Sequence, residues 1–136
     1  MAKKPIRVLL ADDDAPVREA VRSLLESNGD LKVVGCAADG NDAVLLASQL
    51  ALDVAILDIA MPKLDGVAVA RHIRRIAPQT RIVILSAHTS SAHLSAALLA
   101  GVHGFVDKAA LGIDLIAAVR AVMAGERYLS ASLKNS

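Results

Sequence analysis

The run Val54-Ala55-Ile56-Leu57 carries no polar residue at any position of its zigzag, and this constrains the fold more than any other feature of the chain. A strand with one wet face alternates apolar and polar residues. One without alternation is covered on both faces, as in a parallel sheet sandwiched between helices. Comparable β-rich runs stand at Ile6–Ala11, 32–37, 81–85 and 104–106, and each precedes a longer segment of helical periodicity. Val17, Val21, Leu24 and Leu25 mark the first helical face, with Pro16 suited to its first turn and Asn28-Gly29 to its stop. A second helix is predicted over 41–49, and a third over 65–76, ended by Ala77-Pro78. Leu94, Leu98 and Val102 mark a fourth that Gly101 ends, and Leu111, Leu115, Val119 and Val122 line a fifth. Five βα units in succession predict an α/β domain with a parallel sheet between helical layers. The segment after Gly125 loses periodicity and reads as a linker.

Composition narrows the function. A chain of 136 residues suits one domain. It is 54% hydrophobic with one Phe, one Tyr and no Trp, so the core is aliphatic. Fifteen basic and 14 acidic side chains leave a net charge of +1, which gives no reason to expect nucleic-acid binding by these residues themselves. The one cysteine, Cys36, excludes an internal disulfide and, within its apolar run, reads as a buried inert thiol. No apolar stretch has signal-peptide or membrane-spanning length. The expectation is a cytoplasmic protein with no membrane partner.

In open parallel sheets, sites form beyond the carboxyl ends of the strands. There the first run ends in Asp12-Asp13-Asp14, the third in Asp58, the fourth in Ser86, and the fifth is followed by Asp107-Lys108. Singly, each Asp could serve as a helix cap, Lys108 as a solvated charge and Ser86 as a turn residue. Together they describe carboxylates whose repulsion needs a hard cation. Magnesium takes one or two carboxylates and keeps waters or phosphate oxygens. With Lys108 and Ser86 nearby, such a site suits attack by Asp58 on phosphorus to give an aspartyl-phosphate.

The motifs Leu9-Leu10-Ala11-Asp12-Asp13-Asp14, Leu57-Asp58-Ile59-Ala60-Met61-Pro62-Lys63-Leu64-Asp65-Gly66, Ile84-Leu85-Ser86-Ala87 and Gly101-Val102-His103-Gly104-Phe105-Val106-Asp107-Lys108 go further. They resemble the receiver domain of bacterial two-component response regulators. The resemblance implies a flavodoxin-like (βα)5 fold, a five-stranded parallel sheet in order 2-1-3-4-5 with helices on both faces. It assigns Asp58 as phosphoacceptor and Lys108 as partner of the phosphoryl group. Magnesium would be held by Asp13, Asp58 and the backbone carbonyl of Ala60, with Asp12 acting through water. Ser86 and Phe105 would be the switch positions, repacking the face formed by the fourth helix, fifth strand and fifth helix.

The partner so implied is a sensor histidine kinase, docking near Arg18 and Arg22. A homodimer is expected through the face of the fourth helix, fifth strand and fifth helix, or through the first and fifth helices. Ala109 replaces a common proline, and the segment 119–130 is similar to receivers that precede a LuxR-type helix-turn-helix. No such sequence follows. The expected organisation is a receiver over 1–126 and a linker over 127–136, with DNA reached only through an output domain absent here; the alternative is a stand-alone receiver acting by protein–protein contact. Ala60 and His88 occupy the water approach to the phosphoryl group, and the absence of a polar side chain at Ala60 predicts slow to moderate autodephosphorylation.

Rival chemistries fit less well. A haloacid-dehalogenase-type phosphatase needs an acid two residues after its nucleophile, and here that residue is Ala60. A flavin binder on this topology wants a hydroxyl- and glycine-rich loop after the first strand, where this chain has three carboxylates. The expectation is a signalling domain rather than an enzyme.

Overall fold

Residues 54–57 do form a strand buried on both faces. A computed structural model describes residues 4–87 and 91–133. In chain order the elements are β1 (Ile6–Ala11), α1 (Ala15–Glu26), β2 (Leu31–Ala37), α2 (Gly40–Gln49), β3 (Val54–Asp58), α3 (Gly66–Ile76), β4 (Arg81–Ser86), α4 (Ser91–Leu99), β5 (Gly104–Asp107), a 3-10 turn (Lys108–Ala110), α5 (Leu111–Met123), β6 (Tyr128–Leu129) and a second 3-10 turn (Ala131–Leu133). Ala55 and Leu57 join Leu9, Ile82, Ile84 and Phe105 under α2, α3 and α4. Val54 and Ile56 join Leu10, Val83, Leu85 and Val106 under α1 and α5. Burying one large aliphatic side chain stabilises a fold by about 1.5–3 kcal/mol, so two fully covered faces explain why no polar residue is tolerated in this run.

Aspartates start the first three helices. Asp14, Asp39 and Asp65 accept hydrogen bonds from Val17, Asp42 and Ala68 N–H, at the N-termini of α1, α2 and α3. Gly101 lies at φ +85 just beyond α4, in the left-handed region that glycine enters without penalty. The expected end of that helix is thus observed.

Two expectations need correction. The parallel sheet has six strands among the described residues, in order β2-β1-β3-β4-β5-β6, not five. The extra strand lies in the segment read as a linker. Tyr128 and Leu129 pair in parallel with Gly104 and Phe105, and Leu133 beyond them is buried. Two residues carry no periodicity, so only tertiary contacts mark them as a strand. Cys36, in turn, is exposed. The β1–β2 register slips between Val8 and Leu9, so that Leu9 faces Gly35 and Leu10 faces Cys36. This bulge exchanges the faces of an edge strand halfway along its length and turns Cys36 to solvent.

Candidate functional site

Register builds the site. Ala11 pairs with Leu57, Asp58 with Leu85, and Ser86 with Asp107. The residues that follow β1 therefore emerge beside Asp58, and Lys108 begins the turn directly after β5. Asp12 is fully buried and Asp58 is 4% exposed, whereas Asp13 stands at the surface. One carboxylate oxygen from each of Asp12, Asp13 and Asp58 lies within 4.8 Å of the others. The Lys108 ammonium lies 2.8 Å from Asp12 Oδ2 and 3.1 Å from Asp58 Oδ2.

Local bonds hold Asp12 and Asp58 in place. Asp12 Oδ1 accepts from Asp14 N–H at 2.9 Å, and the Arg18 guanidinium donates to the Asp12 carbonyl at 2.7 Å. Ala60 N–H donates weakly to Asp58 Oδ1 at 3.4 Å. Asp14 is the helix cap among the three consecutive aspartates, leaving Asp12 and Asp13 to face the site.

One ammonium does not balance three carboxylates. Burial, and after it the negative charge of Asp12, push the Asp58 carboxyl up to about 6, although Lys108 opposes both. Burial pulls the Lys108 ammonium down, but its attraction to Asp12 and Asp58 outweighs this and leaves its pKa raised. Asp12 Oδ2 touches the ammonium off any hydrogen-bonding direction, so it is ion-paired yet lacks a hydrogen-bond donor. A buried carboxylate oxygen with no hydrogen-bond donor, beside two further carboxylates, makes a donor set for a hard, oxygen-seeking cation.

Ser86 is buried at the end of β4, and Phe105 is 2% exposed, in one buried cluster with residues of α2, α3 and α4. His88 lies outside the described residues. Ala60 is exposed beside a cleft lined by Asp13, Met61, Pro62 and Ala68.

Two glycines admit close backbone approaches that the sequence does not show. A Cβ on Gly66 would stand 2.3 Å from the Asp58 carbonyl oxygen, and one on Gly40 would stand 1.9 Å from that of Leu64. Asp65-Gly66 thus does more than turn the chain: only glycine lets the start of α3 close on the strand end that carries Asp58. Arg18, read from sequence as a docking residue, turns its guanidinium inward to the Asp12 carbonyl. The signal for that contact was only its position one turn into the helix after the aspartates.

Comparison with known proteins agrees with this geometry. Residues 8–120 match the family model described as response regulator receiver domain. The response regulator UvrY of Escherichia coli is 35% identical over 128 residues, covering 94% of this chain and 59% of the relative. The transcriptional regulatory protein YxjL of Bacillus subtilis is 39% identical over 126 residues, covering 93% and 58%. The chain thus spans about three-fifths of the length of these curated relatives. Among solved structures, a LuxR-family two-component response regulator from Aurantimonas superposes with a TM-score of 0.92 at 33% identity, over 97% of this chain and 94% of that one. The isolated receiver domain of RcsB from Salmonella enterica, determined with phosphomimetic BeF3−, gives 0.89 at 30% identity, over 97% and 98%. Family match, identity and superposition agree: the chain belongs to the response regulator receiver domains, on the branch of the LuxR-family regulators.

Proposed function

We propose that Asp58 is the phosphoacceptor of a two-component relay and that Lys108, Ser86 and a magnesium ion serve it. The observation that carries this reading is the convergence of Asp12, Asp13 and Asp58 around the Lys108 ammonium at the carboxyl ends of the sheet. In the reaction, an Asp58 carboxylate oxygen forms a bond to phosphorus as the bond from phosphorus to the donor's imidazole nitrogen breaks. Lys108 pairs with the developing negative charge on the phosphoryl oxygens, and the Ser86 hydroxyl donates to one of them. Asp12, Asp13, Asp58 and the Ala60 carbonyl are the groups that would hold the metal. When bound, magnesium neutralises carboxylate and phosphoryl charge.

The switch positions are Ser86 and Phe105. With the ring inward and Ser86 buried, a phosphoryl group would act by preferring one packing of α4, β5 and α5 over another. Exposed Leu98 and Leu99 on α4 favour the face of α4, β5 and α5 over that of α1 and α5 for pairing of two copies. We assign the sensor-kinase contact to the surface near α1 and the loop after β5. The output is transcription control through a DNA-binding domain, in keeping with the extra length of UvrY and YxjL. The compartment is the cytoplasm; no helix among the described residues is long and apolar enough to cross a membrane. Ala60 offers attacking water no side-chain partner, so the aspartyl-phosphate hydrolyses slowly to moderately, and a lifetime of seconds would contradict this.

The test is incubation with acetyl phosphate, with and without Mg2+, followed by intact mass. Magnesium-dependent addition of one phosphoryl group, lost in Asp58→Asn, is expected. No adduct, or one that Asp58→Asn leaves unchanged, overturns the reading.

A further inference from the structure

The segment after α5 reaches back to the turn that carries Lys108. Tyr128 N–H donates to the His103 carbonyl at 3.1 Å and Ser130 N–H to the Phe105 carbonyl at 3.0 Å. The Tyr128 and Ser130 hydroxyls donate to the two carboxylate oxygens of Asp114, a buried residue of α5, at 2.5 and 2.7 Å. The Ser130 hydroxyl in turn accepts from Asp107 N–H at 3.0 Å. Asp107 then uses its carboxylate twice. Oδ1 accepts from Ala109 N–H at 2.9 Å, capping the 3-10 turn that begins at Lys108, and Oδ2 accepts from Ser132 Oγ at 2.8 Å. Leu133 closes the segment by burying its side chain in the same cluster as Phe105.

We propose that Asp107 is a positioning residue for Lys108, and that residues 128–133, acting through Ser130 and Ser132, are a working part of the phosphoryl site. The inference rests on the reading of Asp58 and Lys108 given above. A lysine has a long, freely rotating stem, so the accuracy with which its ammonium meets a phosphoryl group depends on how firmly its backbone is anchored. Here that anchor is a capped turn whose cap is itself tied to the C-terminal segment. If docking of this segment favours the geometry of Lys108 that grips a phosphoryl group, then occupancy of the pocket favours docking to the same degree, because coupling between sites is reciprocal. Segment 128–133 would thereby pass the state of the site to whatever follows it. A mere surface tack would stabilise the segment and leave the pocket unchanged.

The experiment uses the full chain, with beryllofluoride and Mg2+ as the phosphoryl probe. Calorimetry gives its affinity, and amide exchange follows the N–H groups of Tyr128, Ser130 and Leu133. Ser132→Ala and Asp107→Ala, both checked for native far-UV dichroism, should bind beryllofluoride more weakly by on the order of fivefold. Asp107→Asn should restore most of the affinity, since its amide can accept from Ala109 and donate to Ser132 Oγ. In the unaltered chain the probe should slow exchange in 128–133. Binding by the unaltered chain with equal affinity in both alanine variants overturns the inference. So does exchange that the probe leaves unchanged, and so does Asp107→Asn as weak as Asp107→Ala, which would assign the effect to charge instead of position. Absence of any binding by the unaltered chain would overturn the phosphoryl-site reading itself, and the inference with it.

Discussion

Replacing Asp58 by Asn should stabilise the metal-free protein at neutral pH and do much less at pH 4. The folded-state pKa of Asp58 is about 6, above its ordinary 3.8. Between those values the native protein keeps a proton that the unfolded chain has released, so native stability falls as pH rises through the window. The gap is roughly 2 units, and each is worth about 1.36 kcal/mol, which puts the ionisation penalty near 3 kcal/mol once pH exceeds 6. Asn retains the shape and removes the charge. Its expected gain is therefore about 1–3 kcal/mol at pH 7.5, fading to roughly half a kcal/mol or less near pH 4, where folded Asp58 is protonated and the unfolded carboxyl is only partly ionised. The assay is urea unfolding of both proteins at pH 4 and 7.5, with and without Mg2+. Saturating Mg2+ should stabilise the unaltered protein more than the variant and narrow the gap. A variant less stable than its parent at pH 7.5 without metal, or a gain equal at both pH values, would refute the reasoning.

Other outcomes follow from contacts already described. Gly66→Ala should cost at least about 2 kcal/mol in denaturant unfolding, because its Cβ would stand 2.3 Å from the backbone oxygen of Asp58. A cost below about 0.5 kcal/mol would mean that the approach is not tight. Lys108→Met should destabilise the metal-free protein by about 3 kcal/mol, since it leaves buried Asp12 without its cation. Added Mg2+ should recover more stability in this variant than in the parent. Tyr128, the only tyrosine in a chain without tryptophan, reports on its own hydrogen bond. Its bond to Asp114, and then burial, hold the phenol up to about 12. Ionisation thus costs stability as pH rises from 10 towards 12. Absorbance near 295 nm should stay flat through pH 10.5 in the folded parent and rise earlier in Asp114→Asn, and coincident titrations would contradict the bond.

The sequence made the sheet legible because its strands are long enough, and apolar enough, to show that both faces are covered. Asp12, Asp13, Asp58, Ser86 and Lys108 could be grouped from the chain alone, because a parallel sheet sends every strand end to the same side. Distances, and the excess of carboxylate over ammonium, required the register. Less legible were features set by tertiary contact. Tyr128 and Leu129 have too short a run to show a period, and their strand depends on β5 and Asp114. The exposure of Cys36 comes from a bulge that apolar patterning does not encode. Gly40 and Gly66 look like ordinary turn glycines until the backbone each must admit is in view.

Phosphorylation at Asp58 would modify one carboxylate, and chemistry can identify which. After acetyl phosphate treatment with Mg2+, borohydride reduces an acyl phosphate to the alcohol and so converts the modified aspartate to homoserine. Peptide sequencing by mass spectrometry then locates that residue. Homoserine is expected at position 58 alone, dependent on Mg2+. Homoserine at Asp12 or Asp13, or none in a folded sample, would contradict phosphorylation at Asp58.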